Sequence, residues 1–331
     1  MAMAILVSGG AGYIGSHMVL ELLDRGERVV VLDNLSTGFW WAVPPEATLV
    51  QGDIGDGELL AKTIAEHGID EIAHFAARIV VPESVSDPLG YYLANTVKTR
   101  SLFESAVKGG VKRLIFSSTA AVYGEPAVSP VPEDIALAPI NPYGRSKLMS
   151  EWMLADAARA HGFGYAVLRY FNVAGADPRG RSGQSTPNAT HLIKVAGQAA
   201  LGRRDGLQVF GTDYPTPDGT CVRDYIHVTD LARAHIAALD RLRAGGENLT
   251  VNCGYGTGFS VNQVIEVVKR VSGVDFPVHY APRRAGDPAS LVAKADRIRG
   301  ELGWVPEHDD LDEIVRSALD WERHLATRNA R

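Results

Sequence analysis

The sequence has little cysteine, no long apolar run and no excess of positive charge, and each absence excludes a class of protein. Its 331 residues include only two cysteines, Cys221 and Cys253, which are too few for a disulfide framework and lack the spacing of a metal site. No apolar run approaches the ~18 residues needed to span a membrane. The net charge of −6 gives no reason to expect a nucleic acid or an anionic membrane as a partner.

The remaining composition is typical of a globular enzyme. Hydrophobic residues make up 46% of the chain and charged residues 22%, which is ordinary for a folded protein. The N-terminus leads straight into an apolar segment without a charged flank, so no signal peptide is expected. We therefore expect a cytoplasmic protein with reduced, buried cysteines and no metal site, built as one large domain or two closely associated ones.

A glycine-rich stretch near the N-terminus has the context of a dinucleotide-binding loop. The apolar run 4–8 predicts a buried strand, and residues 16–23 carry apolar side chains at helical spacing. Between them, Gly9, Gly12 and Gly15 allow a tight turn, close approach of the backbone to a pyrophosphate, and close packing of helix and strand. Backbone N–H groups and the positive end of the helix dipole would then hold the phosphates.

A carboxylate after the second predicted strand indicates which dinucleotide binds. The strand 28–32 ends at Asp33, eighteen residues after Gly15. An acid at this point accepts hydrogen bonds from the ribose hydroxyls of NAD and repels the 2′-phosphate of NADP. Three glycines alone would also fit a turn without a ligand, but strand, spacing and acid together favour NAD.

Strand and helix patterns alternate through the first half, which predicts a doubly wound parallel sheet of the Rossmann type. Ligands of such sheets bind beyond the carboxyl ends of the strands. Residues that follow or end predicted strands should therefore meet at one edge of the sheet. These are Gly9, Asp33, Asp53, Phe75-Ala76-Ala77 and Ser117-Ser118-Thr119.

The second half has shorter elements and loops rich in proline and glycine, which predict a smaller mixed α/β domain. We expect a Rossmann domain over residues 1–173 and a C-terminal substrate domain over residues 174–331. Residues 222–243 are predicted as a strand and a helix that return to the first domain, so the boundary stays open. Binding the cofactor in one domain and the substrate between the two is the natural arrangement.

Tyr143 and Lys147 are the candidate catalytic pair. They lie four residues apart at the start of a helix predicted over 142–161, so the phenol and the ammonium share one face. A free tyrosine has a pKa near ~10, but a nearby ammonium and an oxidised nicotinamide both favour the phenolate. Such a base can remove a proton from a carbinol while hydride leaves. The spacing alone occurs on many helices without function; behind a dinucleotide loop it points to catalysis.

Longer strings in the sequence resemble the extended short-chain dehydrogenases/reductases and, within them, the UDP-glucose 4-epimerase family. The resemblance covers about residues 5–321. Strings typical of the superfamily are GGAGYIGSH (9–17), LDNLSTG (32–38), GDI (52–54), HFAA (74–77), FSSTAAVYG (116–124), NPYGRSKLMSE (141–151) and LRYFNVAGA (168–176). Strings more specific to the epimerases are THLI (190–193), GRRDGLQVFGTDYPTPDGTCVRDYIHV (202–228) and APRRAGDPASLVA (281–293).

This resemblance implies a redox-neutral 4-epimerisation that interconverts UDP-glucose and UDP-galactose through a transient 4-keto sugar. Tyr143, with Lys147 and assisted by Thr119, would take the proton of the sugar 4-hydroxyl while the C4 hydride passes to NAD. The keto sugar would then turn its other face and take the hydride back. Because the cycle is redox-neutral, NAD need not leave between turnovers.

The same resemblance assigns site residues, motif by motif. The cofactor side comprises Gly9, Gly12, Tyr13, Ile14, Gly15, Asp33, Asn34, Asp53, Ile54, Phe75, Ala76, Ala77, Asn95, Ser117, Tyr143, Lys147 and Tyr170. The UDP-sugar side comprises Thr119, Asn172, His191, Leu192, Phe210, Arg223, Arg284 and Asp287. Arg223 and Arg284 have the forked donors that clamp a diphosphate. The long helices at about 88–108 and 142–161 resemble those that form a dimer interface in the family, which implies a homodimer.

Three positions depart from the family pattern and keep alternatives open. Ile79 stands where some members carry a lysine, and Lys194 where a proline is frequent. Leu291 stands where a tyrosine favours plain hexoses and smaller residues admit N-acetylated ones, so a 4-epimerase of another UDP-sugar (N-acetylhexosamine, pentose or uronate) is the main alternative.

Two other classes are disfavoured. A nucleotide-sugar 4,6-dehydratase carries an acid pair directly after the catalytic threonine, where this chain has Ala120-Ala121. A non-catalytic NAD-binding regulator would not need Thr119, Tyr143 and Lys147 together, although a fold alone never proves activity.

Overall fold

The computed structural model describes residues 4–187, 189–284 and 287–328. Its strands are β1 (Ala4–Ser8), β2 (Arg28–Asp33), β3 (Thr48–Gln51), β4 (Ile69–His74), β5 (Arg113–Thr119), β6 (Gly164–Tyr170), β7 (Asn172–Ala174), β8 (Leu207–Phe210), β9 (Val222–His227), β10 (Leu249–Cys253), β11 (Gly258–Ser260), β12 (Val278–Ala281) and β13 (Ser290–Leu291). Its α-helices are α1 (Tyr13–Asp24), α2 (Gly57–His67), α3 (Val81–Ser86), α4 (Pro88–Tyr92), α5 (Lys98–Lys108), α6 (Pro142–His161), α7 (Leu192–Ala200), α8 (Val228–Arg243), α9 (Val261–Ser272), α10 (Asp296–Leu302) and α11 (Leu311–Arg328).

Seven strands form a parallel sheet in the order β10-β6-β5-β4-β1-β2-β3. The strand order reverses between β1 and β4, and ligands of such sheets bind in the crevice at that point. Smaller sheets, β11-β9-β13 with β7 against β9, and β12-β8, lie outside it. The predicted Rossmann-like fold with additional mixed α/β structure is confirmed.

The core explains why β1 and β2 are almost continuously apolar. Side chains alternate across a strand, so both faces of a sheet covered by helices require apolar residues throughout. In β2, Val29 and Val31 join a core that includes α1 and α8, whereas Val30 and Leu32 join a second core that includes α2, α5 and α6. These two layers hold the carboxyl ends of the strands in fixed register.

From residue 222 onwards, some elements belong to the small sheet and others pack on or join the large sheet. Strand β9 lies in the small sheet, whereas α8 packs on α1 and against β5 and β6. Strand β10, which lies within the range predicted for the C-terminal domain, pairs with β6 and extends the large sheet. Its short apolar run gave no sign of its partner, because strand pairing is a tertiary contact.

The helical stretch 88–108 is interrupted by a π-helical turn over Leu93–Val97. At its centre Asn95 is buried, and its amide accepts from Arg78 N at 2.8 Å and donates to Ser146 Oγ at 3.1 Å. The helix predicted over 142–161 coincides with α6. Among the described residues no helix is long and apolar enough to cross a membrane, and Cys221 and Cys253 are both free and buried, as predicted.

Candidate active site

The turn after β1 requires glycine because neighbouring backbone atoms leave no room for side chains. Gly9 has φ +75°, and a Cβ on it would lie 2.6 Å from the backbone nitrogen of Ala76. A Cβ on Gly15 would lie 2.1 Å from the carbonyl oxygen of Gly9. Gly12 is the N-cap of α1, and no side chain caps the helix there. The first backbone N–H groups of α1 could therefore donate to an anion such as a pyrophosphate.

Asp33, the last residue of β2, is tied to this turn. Its carboxylate accepts from the backbone nitrogen of Ala11 at 3.0 Å and from that of Leu35 at 2.8 Å. Only 8% of Asp33 is exposed, and burial raises the pKa of its carboxyl. Each oxygen keeps a lone pair for a ribose hydroxyl. The glycine cradle, the uncapped helix and this acid together fit NAD.

Asp53 follows β3 and lies in a small polar cluster. Asn34 Nδ2 donates to its carboxylate at 3.1 Å and Lys98 Nζ at 2.6 Å. Burial alone would raise the pKa of Asp53, but the hydrogen bonds from Lys98, Gly55 and Asn34 hold it below its ordinary value. Lys98 was not predicted, because it comes from α5 and no local motif marks it.

The remaining predicted cofactor residues come from several elements, and Phe75 and Ala76 among them lie against the end of β1. Phe75 N and Ala76 N both donate to the carbonyl oxygen of Ser8, so the chain after β4 runs along the end of β1. The phenol of Tyr13 donates to the Gly175 carbonyl at 2.7 Å. Ile54 and Asn95 are buried, while Ile14, Ala77 and Tyr170 are half-buried.

The start of α6 fixes the candidate catalytic pair. Asn141 caps the helix by accepting from the backbone nitrogen of Gly144 at 2.9 Å, and proline at position 142 suits its first turn. Tyr143 is 6% exposed and Lys147 is 2% exposed. Lys147 Nζ donates to the Ser117 carbonyl at 2.9 Å and lies 4.8 Å from the centre of the Phe116 ring. The ammonium thus pins α6 to the end of β5.

Burial disfavours the charged forms of both candidate catalytic groups. It lowers the pKa of Lys147 to about 8, against the opposing effect of Glu151. It raises the pKa of Tyr143, as does Tyr170, while a hydrogen bond with Thr119 acts in the other direction. Thr119 Oγ1 also accepts from Ala121 N at 3.1 Å. Without a bound ligand the protein therefore keeps Tyr143 protonated. Formation of the phenolate requires additional positive charge near the phenol.

The predicted diphosphate and nucleoside residues form a cluster. Arg223 on β9 and Arg284 approach the same carboxylate, that of Asp287, at 3.8 and 3.7 Å. The Arg284 guanidinium lies 4.0 Å from the centre of the Phe210 ring. Leu291 pairs with Arg223 across β13 and β9, so the candidate sugar-size position adjoins this cluster.

Three further predicted substrate residues line a pocket. Asn172, His191 and Leu192 line it together with Tyr13 from the cofactor side. His191 Nδ1 lies 3.3 Å from Gln184 Nε2, and burial, then Lys194, lowers the pKa of the imidazole.

The departures at positions 194 and 79 have opposite surroundings. Lys194 is buried, and its Nζ lies 2.7 Å from Glu322 and 2.8 Å from the Gln184 carbonyl. Ile79 is 47% exposed. In the part of the chain that the structure describes, no group of three His, Cys, Asp or Glu side chains is arranged to hold a metal ion.

Comparison with known proteins agrees with this dinucleotide-binding architecture. Residues 5–254 match the NAD-dependent epimerase/dehydratase family. The UDP-glucose 4-epimerase of Azospirillum brasilense is 59% identical over 321 residues, or 97% of this chain and 92% of that protein. The solved structure of UDP-glucose 4-epimerase from Brucella ovis in complex with NAD is 47% identical, with a TM-score of 0.94 over 96% of this chain and 98% of that one.

A third relative is described as a UDP-Glc/GlcNAc 4-epimerase, from Campylobacter jejuni. It is 51% identical, with a TM-score of 0.86 over 98% of this chain and 100% of that one. The chain therefore belongs to the NAD-dependent epimerase/dehydratase family and, within it, to the UDP-glucose 4-epimerase family. The cofactor is NAD and the reaction class is isomerisation, as the sequence predicted.

Proposed function

We propose that this chain interconverts UDP-glucose and UDP-galactose by oxidation and re-reduction at C4 of the sugar, with Thr119, Tyr143 and Lys147 as catalytic residues. One observation carries this proposal. The buried Tyr143–Lys147 pair is held against the carboxyl end of β5 by the hydrogen bond from Lys147 to Ser117, at the same sheet edge as the glycine turn after β1.

In this mechanism Tyr143 is the base that takes the 4-hydroxyl proton, and later the acid that returns it. NAD, when bound, would supply the hydride acceptor and a positive charge that favours the phenolate. Lys147 adds a second positive charge, and together they overcome the burial that raises the pKa of Tyr143. Thr119, hydrogen-bonded with Tyr143, shares the proton of the reacting oxygen.

Arg223, Arg284 and Asp287 would hold the UDP portion while the sugar turns. Two guanidinium groups around one acidic side chain suit a diphosphate bound next to ribose hydroxyls. Phe210 offers a flat face to the uracil ring. Anchoring only the nucleotide end leaves the 4-keto sugar free to present either face of C4 to Tyr143, which explains epimerisation without a second catalytic base.

A second candidate substrate is a UDP-N-acetylhexosamine. Leu291 is smaller than the tyrosine that favours plain hexoses, and it lies beside Arg223 in the register of β13 and β9. The relative from Campylobacter jejuni, at 51% identity, is described as acting on both UDP-Glc and UDP-GlcNAc. The enzyme would then accept both sugar classes.

We also propose a homodimer in the cytoplasm. Exposed apolar side chains gather on α3, α4, the π turn and α6, and a large exposed apolar patch marks an interaction surface. They include Val85 at 65%, Leu89 at 78%, Leu93 at 52% and Trp152 at 58% exposure. The free, buried cysteines suit a reducing compartment.

For domain organisation we propose 1–173 with α8 and β10 as the cofactor domain and the remainder of 174–331 as the substrate domain. The packing of α8 on α1 and the pairing of β10 with β6 support this division.

The test is NMR of the purified protein mixed with UDP-galactose and no added NAD. Appearance of UDP-glucose is expected, because a redox-neutral cycle lets the enzyme retain its cofactor. Activity only after NAD is added would indicate loose binding. If no epimer forms from UDP-galactose or from UDP-N-acetylgalactosamine with NAD present, the proposed function is wrong.

A further inference from the structure

A buried ion pair next to the candidate catalytic residues, between Glu151 and Arg169, is not used in the mechanism proposed above. Glu151 lies on α6, four residues after Lys147, and its side chain is 6% exposed. Its carboxylate accepts from Arg169 Nη2 at 2.7 Å and from Arg169 Nε at 3.1 Å. It also accepts from the hydroxyl of Ser118, which immediately precedes Thr119. One carboxylate thus joins α6 to β5 and β6.

Arg169, the other member of the pair, is also held by hydrogen bonds. Arg169 Nη1 lies 3.1 Å from the phenol oxygen of Tyr123, which donates to Asn252 Oδ1 at 2.6 Å. Asn252 Nδ2 in turn donates to the Val131 carbonyl at 2.7 Å. The guanidinium is 7% exposed. Because a buried charge without a partner is costly, these contacts fix the position of both members.

We propose that the Glu151–Arg169 pair is a positioning element that holds α6 against the end of β5 and keeps Lys147 protonated beside Tyr143. This inference rests on the proposed function, since it assigns a role in that reaction. Glu151 and Lys147 are neighbours on one helix face, as residues four apart must be. The negative charge of Glu151 favours the ammonium, whereas an unpaired Arg169 would oppose it.

Among the described residues, Glu151 is the acidic side chain whose charge raises the pKa of Lys147. Burial, and then Lys147 itself, lowers the pKa of His74, which therefore stays neutral. Burial raises the pKa of Tyr123 and of Tyr165, the tyrosines on which Glu151 acts, and that of Tyr143, so these phenols also stay uncharged. The neighbouring groups that act on Lys147, Glu151 or Arg169 are His74 on β4, Tyr123 after β5, Glu133 and Tyr165 on β6.

The test compares the pH dependence of kcat for the NAD-containing wild-type enzyme and Glu151→Gln. The amide preserves the shape and a hydrogen bond to Ser118 but removes the charge, so the alkaline midpoint is expected to fall by about one pH unit. A second readout follows Lys147 directly, by NMR titration of enzyme labelled with 13C at lysine Cε. The Lys147 signal is assigned by its absence in Lys147→Met, and its midpoint should fall by the same amount.

Two further variants distinguish an effect of charge on Lys147 from an effect on folding. Arg169→Met leaves Glu151 unopposed and should raise the midpoint, and Glu151→Gln/Arg169→Met should return it towards the wild-type value. Glu71→Gln is the matched control. Glu71 is a buried carboxylate, 2% exposed, paired with Arg113 and Arg243 in the first half of β4, away from the carboxyl end. This control should lower thermal stability without moving the midpoint.

The outcomes are distinguishable. A wild-type enzyme that epimerises no UDP-sugar would refute the proposed function. An active wild type whose Lys147 midpoint is the same in Glu151→Gln would overturn the positioning role. If Glu151→Gln does not fold, Arg169→Met decides the question, and an unchanged or lowered midpoint there contradicts the proposal.

Discussion

At the scale of single residues, the site combines groups whose charged forms the protein by itself opposes. Burial raises the pKa of Tyr143 and lowers that of Lys147 to about 8. Below that pH Lys147 is protonated and supports the phenolate, and as pH rises through about 8 the support is lost. Because burial opposes both charged forms, we expect Tyr143 to act as a base only when cofactor and substrate are bound.

Tyr143→Phe removes the oxygen that is proposed to accept the proton, while keeping the ring in its buried position. We expect kcat to fall by about 10²–10⁴-fold, the usual contribution of a general acid–base group, with NAD retained. Turnover is measured by NMR and bound NAD by absorbance after denaturation. Near-normal turnover would remove Tyr143 from the mechanism.

Leu291 tests the substrate range at the same scale. Leu291→Tyr should fill space beside Arg223 and reduce kcat/KM for UDP-N-acetylgalactosamine relative to UDP-galactose by about tenfold or more, whereas Leu291→Ser should change the ratio in the opposite direction. The ratio is measured for both sugars in each variant. Equal ratios in all three proteins would show that position 291 does not set sugar size.

At the scale of elements, the strand–turn–helix unit at the N-terminus depends on backbone contact. The turn places the Gly9 carbonyl directly against Gly15, and it leaves no room for a side chain. Helix α6 shows the same principle at its start, where Asn141 and proline 142 set the position of Tyr143.

Gly15→Ala should therefore destabilise the protein by about 1–3 kcal/mol, the range for overpacking, and release NAD. Gly300→Ala is the control. Gly300 lies in α10, a Cβ there meets no atom within 4 Å, and alanine in a helix stabilises by roughly 0.5–1 kcal/mol relative to glycine. Thermal unfolding and bound NAD report both variants. Retention of NAD and of stability by Gly15→Ala would contradict this description of the turn.

At the scale of the whole molecule, the exposed apolar side chains are concentrated on one group of helices. Leu89→Glu puts a charge on α4, where the leucine is 78% exposed, and should convert a dimer into monomers. Val305→Glu, at a position 75% exposed after α10, should leave the dimer intact. Light scattering at micromolar concentration measures both, and a wild-type protein that is already monomeric would refute the dimer.

The fold class, the cofactor and the candidate catalytic pair could all be predicted from the sequence. Glycine spacing, an acid after β2 and helical i,i+4 spacing are local patterns, and local patterns report what one strand, turn or helix can do. The bounds of α6 and the glycine turn were predicted for that reason. The family strings added the substrate residues, whose roles stay predictions.

Contacts between residues that are distant in the sequence could not be predicted and are seen in the folded chain alone. Lys98 pairs with Asp53 across 45 positions, and β10 joins β6 at the edge of the large sheet. Helical spacing could have placed Glu151 near Lys147, but Arg169 reaches that carboxylate only because β6 lies beside α6. Such contacts depend on sheet order and helix packing, which bring together segments that share no local pattern.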